Sequence, residues 1–127
     1  MEMTRAYVKS ILPHRDPEGH KGTFGKVYCL CGAVGYTGAP VLAASAAVRS
    51  GSGLVFLGVP DDIWPIVAVK CDSAMPSPLP SQQGKLALAA EDAVRARIDG
   101  CDAVLIGCGM GRSEESDALT RRLIDMD

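Results

Sequence analysis

Aromatic residues are scarce in this chain of 127 residues: Phe, Trp and Tyr together make up 5% of it. A hydrophobic core must therefore be assembled from Ala, Val, Leu and Ile. Charge of one sign is also missing. Thirteen Lys and Arg are interleaved with fifteen Asp and Glu, a formal net charge of −2, which leaves no basic footprint for nucleic acid or an anionic membrane. No apolar run approaches the roughly 20 residues that a membrane span needs. The opening residues, MEMTRAYVKS, lack the apolar centre of a signal peptide. With 47% apolar and 22% charged residues, the sequence predicts one globular domain over residues 1–127, cytoplasmic in location.

Other absences narrow the chemistry. The five cysteines, at 29, 31, 71, 101 and 108, are odd in number and contain no CxxC. Their apolar neighbours predict buried, reduced thiols rather than a disulfide framework or a zinc site. No Ser-His-Asp order, HExxH or close carboxylate pair occurs in a plausible site. Asp61, Asp62, Asp72 and Asp102 all have turn or capping roles available. His14 and His20 read as solvated loop histidines with no second ligand at metal spacing.

What is present is an alternation of strands and helices. Residues 4–12 predict a short helix capped by Thr4, with Ala6, Val8, Ile11 and Leu12 available for packing. Lys26–Cys31 and Leu54–Val59 are near-continuous apolar runs, suited to strands covered on both faces of a parallel sheet. Between them, Pro40–Arg49 predicts a helix of small apolar residues, giving a βαβ unit. Asp61 or Asp62 is placed to cap a short helix over Ile63–Val69. The stretch CDSAMPSPLPSQQG, with three prolines in five positions, predicts a surface loop or an extended edge segment. Lys85–Asp99 is the clearest helical pattern, with Ala87, Ala90, Val94 and Ile98 on one face. Ala103–Ile106 predicts a strand, and Ser113 caps a last helix with Glu114, Glu115 and Asp117 in its first turn.

Two strands thus end in glycine loops that lead into helices: Gly32, Gly35 and Gly38 before Pro40, and Gly107, Gly109 and Gly111 before Ser113. In open α/β sheets ligands sit at such carboxyl-end loops, where backbone can approach closely. Neither loop has GxGxxG spacing or a P-loop lysine. The residues alone support an α/β small-molecule-binding domain related to nucleotide chemistry.

Several blocks in order carry a more specific resemblance: His20-Lys21-Gly22-Thr23-Phe24-Gly25, Tyr36-Thr37-Gly38-Ala39-Pro40, Arg49-Ser50-Gly51-Ser52-Gly53 and Asp102-Ala103-Val104-Leu105-Ile106-Gly107-Cys108-Gly109-Met110-Gly111-Arg112. Together they resemble the N-terminal part of the ADP/ATP-dependent NAD(P)H-hydrate dehydratases, a carbohydrate-kinase-like family with a ribokinase-type fold. The resemblance implies a three-layer α/β fold, a parallel sheet with helices on both faces. It implies repair of hydrated NADH or NADPH (NADHX, NADPHX), with ADP or ATP and Mg2+ as phosphoryl donor, and Ala39, Gly109, Gly38 and Gly111 at the hydrate. His20 and Lys21 match the family's opening motif without an assigned role. Three departures accompany it. Cys108 stands where the family has proline, Ser73 where it commonly has glutamate, and the family's Gly-Ala-Gly-Asp motif for the nucleotide and catalytic base is absent. The expectation is a substrate-binding portion inactive by itself, with an unpaired sheet edge that favours self-association into a homo-oligomer. A ribokinase-like sugar or vitamin-precursor kinase, or a non-catalytic binding module, stands as the alternative.

Overall fold

The computed structural model describes residues 2–126. The first helix, α1 (Arg5–Ile11), forms as its cap predicts, with the Thr4 hydroxyl accepting from the Tyr7 N–H at 3.2 Å. The apolar residues predicted to pack do not. Ile11 and Leu12 are 56% and 65% exposed, and α1 buries no residue. A seven-residue helix has too little apolar face to hold itself against the sheet.

The centre of the molecule is β1 (Lys26–Leu30), followed in the chain by α2 (Gly38–Arg49), β2 (Leu54–Pro60), α3 (Trp64–Lys70) and β3 (Met75–Leu79). After a small hairpin come α4 (Glu91–Ile98), the last strand of the main sheet (Ala103–Ile106) and α5 (Glu114–Ile124). The main sheet is parallel throughout: β3 pairs with β2, β2 with β1, and β1 with the strand Ala103–Ile106. β1 and β2 are each flanked on both sides, and alternation sends the side chains of β1 to two separate cores. Cys29 and Cys31 join Ala44, Val55, Leu57, Val59, Ile63 and Val67 beneath α2 and α3. Tyr28 and Leu30 join Leu86, Val94, Met110, Leu119 and Leu123 beneath α4 and α5. Helices therefore cover both faces, as the sequence implies.

Of the two readings for the proline-rich stretch, the extended edge segment is the one adopted. In β3, Pro76 and Pro78 occupy alternate positions, so the missing N–H groups fall on the side away from β2. The Pro76 carbonyl, on that outer side, accepts from the Trp64 indole N–H at 3.1 Å, while the Leu79 carbonyl on the inner side accepts from the Asp61 N–H at 2.9 Å.

The helix expected over residues 85–99 begins late. Ser81–Gln82 (β4) and Lys85–Leu86 (β5) form an antiparallel hairpin, turned by Gln83 at φ 51° and Gly84 at φ 74°. Positive φ at both turn residues matches the twist of a two-residue hairpin. A single 3₁₀ turn, Leu88–Ala90, then leads into α4. Ala87, Ala90 and Val94 are buried as expected, because the apolar spacing is compatible with either conformation. The last strand, Ala103–Ile106, is thus β6.

Asp61 and Asp62 do not cap α3, whose N-cap is Ile63 with no side-chain cap. Both carboxylates instead meet the Ser81 hydroxyl at the start of the hairpin. At α5 the capping prediction holds in full. The Ser113 hydroxyl accepts from the Ser116 N–H at 3.1 Å and the Ser116 hydroxyl accepts from the Ser113 N–H at 3.0 Å.

Candidate functional site

From β1 the chain departs through α2 on one face, and it reaches β6 from α4 on the other. The carboxyl ends of β1 and β6 are therefore the point where the winding reverses, which opens a crevice between the loops that follow. Both predicted glycine loops lie there. They are tied to each other by backbone: the Gly107 N–H donates to the Leu30 carbonyl at 3.2 Å, and the Gly32 N–H donates to the Cys108 carbonyl at 2.9 Å.

The four site residues expected from sequence gather at this crevice to different degrees. Ala39 and Gly109 touch. A Cβ placed on Gly109 would lie 2.7 Å from the Ala39 Cβ and 3.1 Å from the Tyr36 Cβ, and Gly109 itself sits at φ 70°. Gly38, the first residue of α2, faces open space with nothing within 4 Å of a Cβ placed on it. Gly111 is roofed by the aliphatic stem of Lys85, whose Cε is 3.1 Å from the position of an added Cβ.

Lys85 belongs to a wall that sequence reasoning missed. The β4–β5 hairpin folds over the first loop, where the Val34 N–H donates to the Gly84 carbonyl at 2.8 Å. Its signal was Gln-Gly between two short extended pairs, hidden by the helical pattern that starts at Lys85. An open groove of about 410 Å³ runs from this hairpin, past Gln82, Gln83 and Lys85, to Arg112 and Ser113 at the start of α5. Val34 and Tyr36, 59% and 58% exposed, present apolar surface at the rim of the first loop.

The loops offer fewer free anion-binding groups than a strand–glycine loop–helix junction suggests. The N–H groups of Gly32, Val34, Tyr36, Ala39, Gly107 and Met110 all donate to carbonyls within the loops and hairpin. Shape, close backbone approach and an apolar rim are what the crevice supplies. Among the described residues no group of three or more His, Cys, Asp or Glu side chains could hold a metal ion. The same residues contain no helix long and apolar enough to cross a membrane.

The opening motif is at the other end of the sheet. Lys21 packs its carbonyl against Gly53 ahead of β2, where no side chain fits, and the His20 Nδ1 accepts from the Gly22 N–H at 3.1 Å. An open groove of about 400 Å³ between Pro13–Asp16 and Ser50–Ser52 lies at this amino end. It faces away from both glycine loops. Ser73 likewise precedes β3 at the amino end and is exposed.

The thiols divide by position. Cys29 and Cys31 are buried as predicted, and burial pushes the Cys29 thiol up to about 11 and the Cys31 thiol higher still. Cys71 and Cys101 are half-buried, and Cys108 is exposed on the second glycine loop, contrary to expectation. The cause is the turn at Gly107 and Gly109, which lifts Cys108 out of the sheet plane.

Residues 27–127 match the NAD(P)H-hydrate dehydratase family, of the carbohydrate-kinase type. The bifunctional NAD(P)H-hydrate repair enzyme of Moorella thermoacetica is 37% identical over 123 residues, covering 96% of this chain and 23% of the relative. The ADP-dependent (S)-NAD(P)H-hydrate dehydratase of Cenarchaeum symbiosum is 35% identical over 123 residues, covering 94% of this chain and 42% of the relative. Among solved structures, the ADP/ATP-dependent NAD(P)H-hydrate dehydratase from Bacillus subtilis, co-crystallised with ATP/Mg2+, superposes with a TM-score of 0.74 and 28% identity, covering 98% of this chain and 42% of that one. A ribokinase-like superfamily protein from Enterococcus faecalis shares the fold at a TM-score of 0.76 and 19% identity, covering 95% of this chain and 39% of that one. The chain thus spans less than half the length of these relatives.

Proposed function

This chain belongs to the NAD(P)H-hydrate dehydratase family, and we propose that its β1/β6 crevice holds the hydrated nicotinamide of NADHX or NADPHX during nucleotide-dependent dehydration. The observation that carries the reading is the contact between Ala39 and Gly109. Two small residues 70 positions apart pack against each other and so form the floor of a slot at the carboxyl end of the central strand. A flat ring suits such a slot, and Tyr36 at its rim supplies a stacking surface.

The roles of the chain's own residues follow from position. Gly38 leaves the first turn of α2 bare, so the ligand can approach backbone there. Ala39 and Gly109 form the floor of the slot. Gly111 and the Lys85 stem close its far side, and the Lys85 ammonium stands beside the groove, where the pyrophosphate of a dinucleotide would find an opposite charge. Positioning of this kind raises reaction rate by fixing the hydroxyl that is to leave.

ADP or ATP would supply the phosphoryl group that converts that hydroxyl into a leaving group. The described residues fit the nucleotide's phosphates and Mg2+ poorly: six of the loop N–H groups are engaged and no group of three or more metal-ligating side chains occurs among those residues. The 127-residue chain is accordingly expected to bind hydrate without turning it over. A homo-oligomeric, cytoplasmic enzyme fits a soluble coenzyme substrate.

Thermal unfolding with NADPHX, with NADPH and with ribose tests the reading. Protection by the hydrate, weakened in Gly38→Ala, supports it. Protection by the sugar alone would move the chain to the small-molecule kinases, and protection by none would remove the site. Nucleotide-dependent recovery of NADPH by the purified chain would overturn its expected inactivity.

A further inference from the structure

The loop that follows β6 carries an exposed cysteine directly over a buried one. Cys31 is the residue after β1, 0% exposed, on the α2 side of the sheet. Parallel pairing of Leu30 with Ile106 brings the end of β6 alongside it, and the Gly32 N–H donates to the Cys108 carbonyl at 2.9 Å. The Cys108 thiol and N–H both lie close enough to act on the Cys31 thiol. Cys29, two residues earlier on the same face, is close enough to Cys108 to sense its charge. Cys71, the residue after α3, packs at the edge of the same core as Cys29 and Cys31, and Cys101 packs with the opposite core beneath α4. An exposed thiol thus stands beside a buried one at the floor of the crevice.

We propose that Cys108 and Cys31 are a redox couple, which a low-molecular-weight disulfide such as oxidised glutathione closes to an intrachain disulfide. The exposed Cys108 thiolate attacks one sulfur of the reagent, forming a mixed disulfide and releasing one thiolate. The Cys31 sulfur then attacks the Cys108 sulfur and expels the second reagent sulfur, and the Cys31 proton leaves with it as a thiol. Two protein thiols are oxidised by two electrons, and one reagent disulfide is reduced to two thiols. Exposure sets the order: burial keeps Cys31 protonated, so Cys108 reacts first and Cys31 resolves. The bond would pin the loop after β1 to the loop after β6 and hold the floor formed by Ala39 and Gly109 in place.

The thiol step does not depend on the ligand assigned to the crevice, so it is tested separately. The purified chain is treated with oxidised glutathione and its intact mass and proteolytic peptides are measured. The expected product has lost two hydrogens, carries no glutathione, links Cys31 to Cys108 and reverts with dithiothreitol. A Cys29→Ala, Cys101→Ser double variant, which retains Cys31, Cys71 and Cys108, is expected to form the same link. Cys108→Ser is expected to lose it, and Cys31→Ala is expected to stop at a stable glutathione adduct on Cys108. A lasting adduct on the unaltered chain, a link from Cys108 to Cys29, or no reaction at Cys108 would each overturn the proposal. The unaltered chain decides the matter even where a variant does not fold.

Discussion

Ala39 and Gly109 meet across the reversal of the sheet's winding, with room for one methyl group between them and not for two. An added Cβ at 109 would stand 2.7 Å from that of Ala39 and 3.1 Å from that of Tyr36. Ala39 lies in the first turn of α2, so it moves only if the helix moves.

Gly109→Ala is therefore expected to destabilise the fold. Overpacking and the positive φ at this position act together, at a cost of about 1–3 kcal/mol. Thermal unfolding reads this as a clear fall in Tm, and an unchanged Tm would show that the two loops are free to separate.

Gly38→Ala separates stability from binding. The site is helical and open, so the substitution is expected to stabilise by about 0.4–1 kcal/mol through the unfolded chain. The same methyl stands where the hydrate would approach backbone, so affinity for NADPHX falls in a titration. A variant that is more stable and binds equally well would place the ligand elsewhere.

Ser113→Ala removes one side of the reciprocal cap at α5 and is expected to cost about 1 kcal/mol. Because α5 contributes Leu119 and Leu123 to the core beneath the sheet, the loss appears as a lower denaturant midpoint. An unchanged midpoint would show that the acidic first turn suffices.

The acid limb of stability is expected to depend on Glu91. Its carboxylate accepts from Arg122 at 2.8 Å and from Arg95 at 3.0 Å, and these bonds hold its pKa below the usual value. A depressed folded pKa contributes stability that is fully present above the unfolded value and lost as pH falls through the folded one. Glu91→Gln should lower the denaturant midpoint at neutral pH, with the difference from the unaltered chain shrinking as pH drops below about 4. A pH-independent difference would assign the effect to packing alone.

Three of the four main strands and both glycine loops were legible because β1, β2 and β6 are short apolar runs, and β1 and β6 run into glycine, whereas the prolines of β3 suit a surface loop as well as an edge strand. Ala39 and Gly109 were legible only through resemblance, since nothing local reports that residues so far apart will touch. Lys85 was misread because KLALAAED satisfies a helical period, whereas the hairpin depends on the Gly84 carbonyl finding the Val34 N–H. Asp61 and Asp62 looked like caps for the same reason, because Ser81 reaches them only after β3 has paired with β2. Cys108 was expected inside with the other thiols, yet two positive-φ glycines beside it turn it outward.

The amide hydrogens at the floor of the crevice carry one more consequence. The Gly107 N–H donates to the end of β1 and the Gly32 N–H to the loop after β6, directly beyond the buried end of β1. Neither can trade its proton for deuterium until β1 and β6 part, and β1 is held on its other side by β2. Loops of this kind usually exchange early. Here the floor of the crevice should exchange as late as the core itself, so that the slot can lose its shape only when the protein loses its fold.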